Sequence, residues 1–246
     1  MTKTNIGIIG HGEIGSSIEK LYLGKSKYTV FIKDIERDDG LEGIDFLHIC
    51  IPFSDKFIDQ VVNYIEIYNP TNTIINSTVL PGTTDKIINL TRNTSIAHSP
   101  VRGVHPKLYE GLITFQKYVG VQEESSFSDV VKVHFMDIGV DSVIVTPTKA
   151  SELAKLLSTT YYGLCIAWHG EVQELCNKYN VDFDTVSTLW NQGYNEGYTK
   201  LGMSNVCRPV LYPPSDKIGG HCVVSNAELM SSFFESRALE LILKYK

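Results

Sequence analysis

A cysteine preceded by two glycines is the most reactive group that the sequence offers. Cys222 ends the segment IGGHC, in which Gly219, Gly220 and His221 come just before it. A thiolate adds readily to an aldehyde, and the resulting thiohemiacetal can be oxidised to a thioester if a hydride acceptor is bound nearby. We therefore predict that Cys222 is a nucleophile, with Gly219, Gly220 and His221 as candidate catalytic or substrate-contacting residues.

A glycine pattern near the start of the chain predicts the site of that hydride acceptor. Gly10, Gly12 and Gly15 follow an apolar run and open a helical stretch, with the spacing G-x-G-x-x-G. The first glycine permits a tight turn, the second lets the backbone approach a pyrophosphate, and the third lets helix and strand pack closely. The predicted cofactor-binding segment comprises Gly10, His11, Gly12, Glu13, Ile14 and Gly15.

An acidic residue after the next β-rich run indicates which dinucleotide binds. Asp34 ends the run YTVFIKD, where a carboxylate pairs with the ribose hydroxyls of the adenosine. Lys33 and Arg37 are near enough to bind the 2′-phosphate of NADP, but a carboxylate at the ribose would repel it. The predicted cofactor is NAD.

These residues need a parallel sheet to position them, and the first 148 residues have the pattern of one. Apolar β-rich runs alternate with helical stretches, and several runs are apolar on both faces, as when helices cover both sides of a sheet. The predicted strands are Asn5–Ile9, Tyr28–Lys33, Asp45–Ile51, Thr73–Asn76, Ser95–His98, Tyr118–Val121 and Ser142–Val145. The predicted helices are Ile14–Leu23, Asp55–Tyr68, Thr83–Leu90 and Ser126–Met136. The fold class is α/β, with an N-terminal Rossmann domain (a doubly wound parallel sheet) over residues 1–148.

Residues 149–246 are predicted to form a mainly α-helical domain that carries the cysteine loop. Apolar residues recur every three or four positions over Lys149–Tyr179, which indicates a long helix with one apolar face. A second helix starts near Asp184, while 191–198 is loop-like or helix-terminal, 205–221 is a loop, and 226–245 is a final helix. The apolar face of the long helix predicts a homodimer formed around it. Tyr194 and Tyr198 could line a substrate pocket or the seam of that dimer.

Composition excludes several classes of protein. The net charge is −6 without a basic stripe, which argues against a nucleic-acid partner. No apolar run reaches the ~20 residues of a membrane-spanning helix, and no secretory leader is recognisable. The five cysteines include no CxxC pair, and His98 and His105 lack metal-ligand spacing, so we predict polar loop roles for these histidines and no metal site. The predicted location is the cytoplasm.

Several longer segments together resemble one enzyme family. IGIIGHGEIG, HICIP, NSTVLPGTT, the helix over Ala150–Asp182 and KIGGHC occur in the order found in the nucleotide-sugar dehydrogenases, the UDP-glucose and GDP-mannose dehydrogenase family. The resemblance covers almost the whole chain. It implies that Cys222 is the nucleophile, that Lys155 stabilises the oxyanion of the tetrahedral intermediates, and that Thr78 positions water near the nicotinamide. Pro52 and Thr78 would also contact the cofactor.

The chain departs from that family at four places. Thr159 stands where the family helix usually has asparagine, although its spacing from Lys155 still lets both residues face one site. Asn226 stands where an acid commonly follows the cysteine, and Val101 where an acid is expected in the segment HSPVRGVHP. Arg102 in the same segment could bind an anionic substrate group. The family's second Rossmann-like domain has no counterpart in this sequence, so we expect a smaller substrate, a partner chain that completes the pocket, or a protein of altered activity that retains the cysteine loop.

The predicted function is that of an NAD-dependent dehydrogenase oxidising a primary alcohol of a sugar or nucleotide-sugar-like substrate. Cys222 would carry the product onward to the carboxylate through a thiohemiacetal and a thioester. A two-electron dehydrogenase of the β-hydroxyacid type, with Lys155 as its helix lysine, is one alternative, and a non-catalytic NAD-binding subunit is another. Lys155 could also be a solvated charge paired with Glu152.

Overall fold

A seven-stranded, mostly parallel sheet forms the first part of the molecule. The structure, a computed structural model, describes residues 3–246 except the side chain of His221, so the role predicted for that side chain lies outside the described residues. The strands are β1 (Thr4–Ile9), β2 (Tyr28–Lys33), β3 (Phe46–Ile49), β4 (Asn72–Ile75), β5 (Ile96–His98), β6 (Lys117–Gly120) and β7 (Ser142–Val145). Their order in the sheet is β2-β1-β3-β4-β5-β6-β7, and neighbouring strands are parallel except β5 and β6. Every predicted strand forms, with ends that differ by at most two residues from those predicted.

Helices cover both faces of this sheet. They are α1 (Glu13–Tyr22), α2 (Phe57–Tyr68), α3 (Thr83–Thr91), α4 (Leu108–Thr114) and α5 (Ser126–Asp137). Successive residues of β1 enter different cores, because side chains of a strand alternate between its faces. Ile8 packs with Ile18 of α1 and Phe135 of α5, whereas Ile9 packs with Phe57 of α2 and Ile87 of α3. The predicted doubly wound α/β fold is confirmed.

Four α-helices and a 3-10 turn (Ser204–Val206) lie in the described chain after β7. The α-helices are α6 (Thr148–Tyr179), α7 (Leu189–Lys200), α8 (His221–Ser231) and α9 (Arg237–Lys244), with a π-helical turn at Asp184–Thr188 before α7. The chain divides into two compact units, which we call unit 1 (up to Lys155) and unit 2 (Leu156–Lys246). The domain boundary that the sequence places between residues 148 and 149 stays a prediction. No helix among residues 3–246 is long and apolar enough to cross a membrane.

Three helical predictions need correction. Residues 191–198, predicted as loop-like or helix-terminal, lie inside α7. The Asn195 side chain pairs with both backbone groups of Arg208, and the Arg208 guanidinium lies 4.0 Å from the centre of the Tyr194 ring, so these contacts support the helix. The short helix α4 was not predicted, since its Gly111 weakens the helical pattern. The single helix predicted over 226–245 is instead α8 and α9, and Ser236 caps the second of them through the backbone N–H of Ala238.

Candidate active site

The glycine turn after β1 has the shape that a dinucleotide pyrophosphate needs. Gly10 has a φ of +87°, and a Cβ there would lie 2.8 Å from the carbonyl oxygen of Cys50. A Cβ on Gly15 would lie 1.9 Å from the carbonyl oxygen of Gly10, so α1 can pack here only without a side chain. A Cβ on Gly12 would meet nothing within 4 Å. The first and third glycines are therefore required by the fold, and the second leaves open space at the N-terminus of α1, where backbone N–H groups favour an anion.

Asp34 at the end of β2 lies against this turn. One of its carboxylate oxygens accepts a hydrogen bond from the backbone N–H of His11, and the other accepts one from Ile35 at 2.6 Å. These two bonds, led by that from His11, lower the pKa of Asp34, so its carboxylate is charged at neutral pH. A fixed negative charge at this place suits ribose hydroxyls and opposes a phosphate.

The loop after β3 adjoins the glycine turn at Gly10 and is joined to the loop after β4. The hydroxyl of Ser77 donates a hydrogen bond to the carbonyl oxygen of Ile51 at 2.6 Å. Pro52 and the half-buried Thr78 therefore lie in two neighbouring loops at the carboxyl edge of the sheet. This edge is where open α/β sheets bind ligands, next to the point at which the strand order reverses.

Buried groups fix the loop after β5. Nδ1 of His98 lies 2.8 Å from the hydroxyl of Ser151 and its Nε2 lies 3.1 Å from the carbonyl oxygen of Ser77, so Nε2 carries the proton. Burial lowers the pKa of His98 to about 3, which keeps it neutral. Nζ of the buried Lys117 donates to the carbonyl oxygen of Ser99 at 2.8 Å. His98 is thus a buried residue at the end of β5, and the polar loop role predicted for it is wrong.

Lys155, the predicted oxyanion stabiliser, contacts this loop. Its Nζ donates a hydrogen bond to the carbonyl oxygen of Val101 at 2.9 Å, and the Val101 side chain is buried. A backbone carbonyl thus holds the lysine at the position where the family resemblance implied an acid. Lys155 is half-buried, so its charge is partly removed from water. An ammonium group in such a place stabilises a developing oxyanion more strongly than it would in water.

Glu152 has a positioning role that the sequence pattern did not predict. Its side chain is fully buried, and its carboxylate accepts hydrogen bonds from the backbone N–H of Gly82 at 2.5 Å and from the N–H and hydroxyl of Thr84 at 2.8 and 2.6 Å. Burial raises the pKa of Glu152, although these hydrogen bonds oppose the shift. The carboxylate ties the start of α6 to the start of α3. Its place on the same helix face as Lys155 was the only signal in the sequence, and that signal indicated an ion pair instead.

Arg102 and His105 lie on the outer side of the same segment. The guanidinium of Arg102 lies 5.2 Å from the centre of the Tyr118 ring and 5.7 Å from that of Phe115, which is cation–π distance. Nδ1 of His105 lies 2.6 Å from a carboxylate oxygen of Glu13. The anion-binding role of Arg102 stays a prediction.

Cys222 lies in unit 2, in the first turn of α8 rather than in a loop. Gly220 precedes this turn with a φ of +85°, and a Cβ on Gly219 or Gly220 would meet nothing within 4 Å. The thiol is half-buried. Asn226 is buried one turn further along α8, and Thr159 is half-buried on α6. Among the described residues, no group of three or more His, Cys, Asp or Glu side chains could hold a metal ion.

Comparison with known proteins gives relatives along most of the chain. It is 24% identical over 233 residues to the UDP-N-acetyl-D-mannosamine dehydrogenase of Pyrococcus horikoshii, covering 87% of this chain and 51% of that protein. It is also 24% identical over 229 residues to the enzyme of the same name from Methanocaldococcus jannaschii, covering 90% of this chain and 49% of that protein. The chain thus spans about half the length of these relatives. No family model matches.

Solved structures confirm the fold. The UDP-D-ManNAc dehydrogenase of Pyrococcus horikoshii aligns with a TM-score of 0.78 at 17% identity, over 98% of this chain and 68% of that one. A UDP-glucose dehydrogenase from Pyrobaculum islandicum aligns at 0.70 and 14% identity, over 99% and 68% of the two chains. The 3-hydroxyisobutyrate dehydrogenase of Mycobacterium tuberculosis aligns at 0.72 and 13% identity, over 98% and 92%. The predicted resemblance to the nucleotide-sugar dehydrogenases is confirmed.

Proposed function

We propose that this chain is an NAD-dependent dehydrogenase that oxidises a primary alcohol of a sugar or nucleotide sugar, and that Cys222 carries the aldehyde on to the carboxylate. The observation that carries the proposal is the open glycine turn with Asp34 against it, in a chain whose relatives are named as UDP-sugar dehydrogenases over most of its length.

The residues of the turn fit the cofactor. The open space at Gly12 and the N-terminus of α1 suit the pyrophosphate, and the charged carboxylate of Asp34 suits the ribose hydroxyls. Pro52 and Thr78 border the same edge of the sheet. When bound, NAD supplies the hydride acceptor for each oxidation.

Side chains of this protein would carry out the remaining steps. After the first oxidation, the thiolate of Cys222 adds to the aldehyde carbon and the carbonyl oxygen takes a proton, which gives a thiohemiacetal. Loss of a hydride and a proton from that adduct gives a thioester, which water cleaves to the carboxylate and the free thiol. The Lys155 ammonium stabilises the oxyanion that forms when the carbonyl is attacked, and Thr78 positions the water. Thr159 and Asn226 contribute a hydroxyl and an amide that can orient substrate or water.

The homodimer is part of the same proposal. Within unit 2, α6 exposes a stripe of large apolar side chains at helical spacing, namely Leu157, Tyr161, Trp168 and Leu175. Such a stripe is typical of a surface that binds another chain. Trp168→Glu should therefore give a monomer by light scattering at a concentration where the unmodified chain is a dimer. The cytoplasmic location and the absence of a nucleic-acid partner stay predictions.

One second candidate has a specific observation in its favour. The 3-hydroxyisobutyrate dehydrogenase structure is matched over 92% of its own chain, a larger share than for the sugar-nucleotide enzymes. A two-electron dehydrogenase of that kind would use Lys155 and would release one NADH per substrate. The two candidates therefore differ in stoichiometry.

The experiment is a count of NADH released per substrate consumed, with a panel of UDP-sugars and small hydroxy acids. We expect two NADH and a carboxylate from a sugar nucleotide, and loss of the carboxylate in Cys222→Ala. Cys165→Ala, at a half-buried cysteine of α6, is the matched control and should keep the full yield. An unchanged carboxylate yield in Cys222→Ala would overturn the covalent mechanism, and one NADH from a hydroxy acid would favour the second candidate.

A further inference from the structure

The turn that follows β2 holds two cations and several carboxylates in a fixed shape. The backbone N–H of Asp34 donates to the carbonyl oxygen of Arg37 at 2.7 Å, and that of Asp39 donates to the carbonyl oxygen of Ile32 at 3.0 Å. Residues 32–39 therefore fold back on the end of the strand. Lys33 immediately precedes Asp34, the residue assigned to the adenosine ribose, and Arg37 follows Asp34 by three residues.

Each cation of this turn is engaged by a carboxylate of the same turn. Nζ of Lys33 bonds to the carboxylate of Asp38. Arg37 makes a two-point contact with Asp39, with Nε 3.0 Å from Oδ1 and Nη2 2.8 Å from Oδ2. A second carboxylate, that of Glu19, lies 3.9 Å from Nη1 of Arg37.

The backbone holds the two aspartates in place. Oδ1 of Asp38 accepts from the N–H of Gly40 at 3.2 Å, and Oδ2 of Asp39 accepts from the N–H of Ile32 at 3.0 Å. The bond from Lys33 lowers the pKa of Asp38, and the bonds from Arg37 lower the pKa of Asp39, so both are charged at neutral pH. A phosphate that entered this turn would have to replace the carboxylates as the partners of Lys33 and Arg37. The backbone would still hold the two negative charges close to the phosphate.

NADP differs from NAD by a phosphate on the 2′-hydroxyl of the adenosine ribose, and proteins that take NADP bind that phosphate with cations near this turn. This chain has both cations, but neither is available. We propose that Asp38 and Asp39 are specificity-determining residues, which exclude NADP by engaging Lys33 and Arg37. The inference rests on the proposed binding of a nicotinamide dinucleotide.

Isolated exposed ion pairs are weak, so the exclusion depends on the crowding of like charges as much as on the pairs themselves. Once a phosphate is present, the fixed aspartates repel it and compete with it for the same donors. Replacing the aspartates by asparagine removes both effects. It also keeps a side-chain oxygen that can accept the backbone hydrogen bonds, so the turn should keep its shape.

The experiment measures the Kd of NAD and of NADP by calorimetry for the full chain and for Asp38→Asn, Asp39→Asn and the double variant. In the double variant we expect NADP to bind about tenfold tighter, since two charge-assisted hydrogen-bond donors become available to the phosphate. The Kd of NAD should change by no more than about twofold, because NAD brings no charge to this position.

Two further variants test whether the released cations cause the gain. Glu36→Gln removes the same charge from the same turn but frees no cation, because Glu36 forms no ion pair within the described part of the chain, so its gain in NADP affinity should be well below that of the double variant. Adding Lys33→Met and Arg37→Met to the double variant should remove most of the gain. An unchanged NADP affinity in a double variant that still binds NAD would overturn the inference, as would an equal gain in Glu36→Gln. If the unmodified chain binds neither dinucleotide, the proposed function fails instead.

Discussion

Unit 1 and unit 2 fix their candidate catalytic residues by different physical means. In unit 1, buried polar side chains such as Glu152 and His98 hold the loops through hydrogen bonds to backbone and hydroxyl groups. In unit 2, the helices are held by close packing at glycines. A Cβ on Gly163 would lie 2.4 Å from the Val223 side chain, and one on Gly170 would lie 2.5 Å from the Tyr245 ring. A hydrogen-bonded network depends on protonation, whereas close packing depends on volume. Acid should therefore affect unit 1 before unit 2, and within unit 2 an added methyl group should have a larger effect than acid.

Acidification should produce the largest effect, and it should begin in unit 1. Burial lowers the pKa of His48 well below 6.5, that of His98 to about 3 and that of His134 to about 4. In the unfolded chain the three histidines take up protons near pH 6.5, but in the folded unit they stay neutral. The free energy of unfolding is therefore highest above pH 6.5 and decreases as the pH falls. Each histidine contributes about 1.4 kcal/mol per pH unit, so the three together lower the free energy of unfolding by about 4 kcal/mol per unit below pH 6.

Hydrogen exchange followed by mass spectrometry can compare the units directly. The strands of unit 1 should lose protection at a higher pH than α8 and α9, and loss in unit 2 first would contradict the comparison. Both tryptophans, Trp168 and Trp190, lie in unit 2, so their fluorescence gives an independent signal for that unit. His134→Gln removes one titrating group but keeps an acceptor for the Tyr22 hydroxyl, which lies 2.8 Å from His134 Nε2, and it should reduce the pH slope by about a third.

Removing the Glu152 carboxylate should have the next largest effect. Glu152→Ala leaves the N–H groups of Gly82 and Thr84 and the Thr84 hydroxyl without their acceptor in a buried place. We expect the free energy of unfolding to fall by about 3 kcal/mol, measured by urea denaturation. Glu152→Gln keeps one oxygen as an acceptor, so its free energy of unfolding should lie between those of Glu152→Ala and the unmodified chain. Glu174→Gln on the exposed part of α6 is the control and should cost less than about 1 kcal/mol.

Gly163→Ala should weaken unit 2 by about 2 kcal/mol, because the new methyl group forces Val223 to move. Val223 follows Cys222 in α8, so the same change should alter the rate at which iodoacetamide alkylates Cys222. The exposed Cys207 is an internal reference whose rate should stay constant. If the stability falls but the alkylation rate of Cys222 does not change, the contact between Gly163 and Val223 stabilises unit 2 without positioning the thiol.

The smallest expected effect is a gain. Gly197 lies inside α7, and a Cβ there would meet nothing within 4 Å, so Gly197→Ala should stabilise the chain by about 0.5–1 kcal/mol through lower backbone entropy in the unfolded state. It is the matched control for Gly163→Ala in the same denaturation series. A loss as large as that at Gly163 would show that close approach is not what distinguishes the two glycines.

Local patterns explain which parts of the fold were predictable. The strands and the glycine turn depend on apolar runs and on residues within a few positions of each other, and β2 and β7 begin and end at the predicted residues. The break between α8 and α9 has no glycine or proline to indicate it and depends on the Ser236 cap. Residues 191–198 are supported by Arg208, a residue outside that segment, whose backbone N–H donates to the side chain of Asn195.

The missed part of the site depends on contacts between distant positions. Glu152 and Gly82 are 70 residues apart in sequence, and only the folded sheet brings them together. The same holds for Lys155 and Val101, which are 54 residues apart. The residue types at Lys155 and Cys222 could be read from the sequence, but the partner of the lysine and the helical setting of the cysteine could not.

The contact between Gly15 and Gly10 has one more consequence. Because backbone packs directly on backbone there, the turn has its final form before any dinucleotide arrives. A loop that must order itself around a ligand loses conformational entropy at the moment of binding, and its affinity is lower for that reason. In this chain folding has already removed that freedom, so the affinity for a dinucleotide is not reduced by ordering this turn.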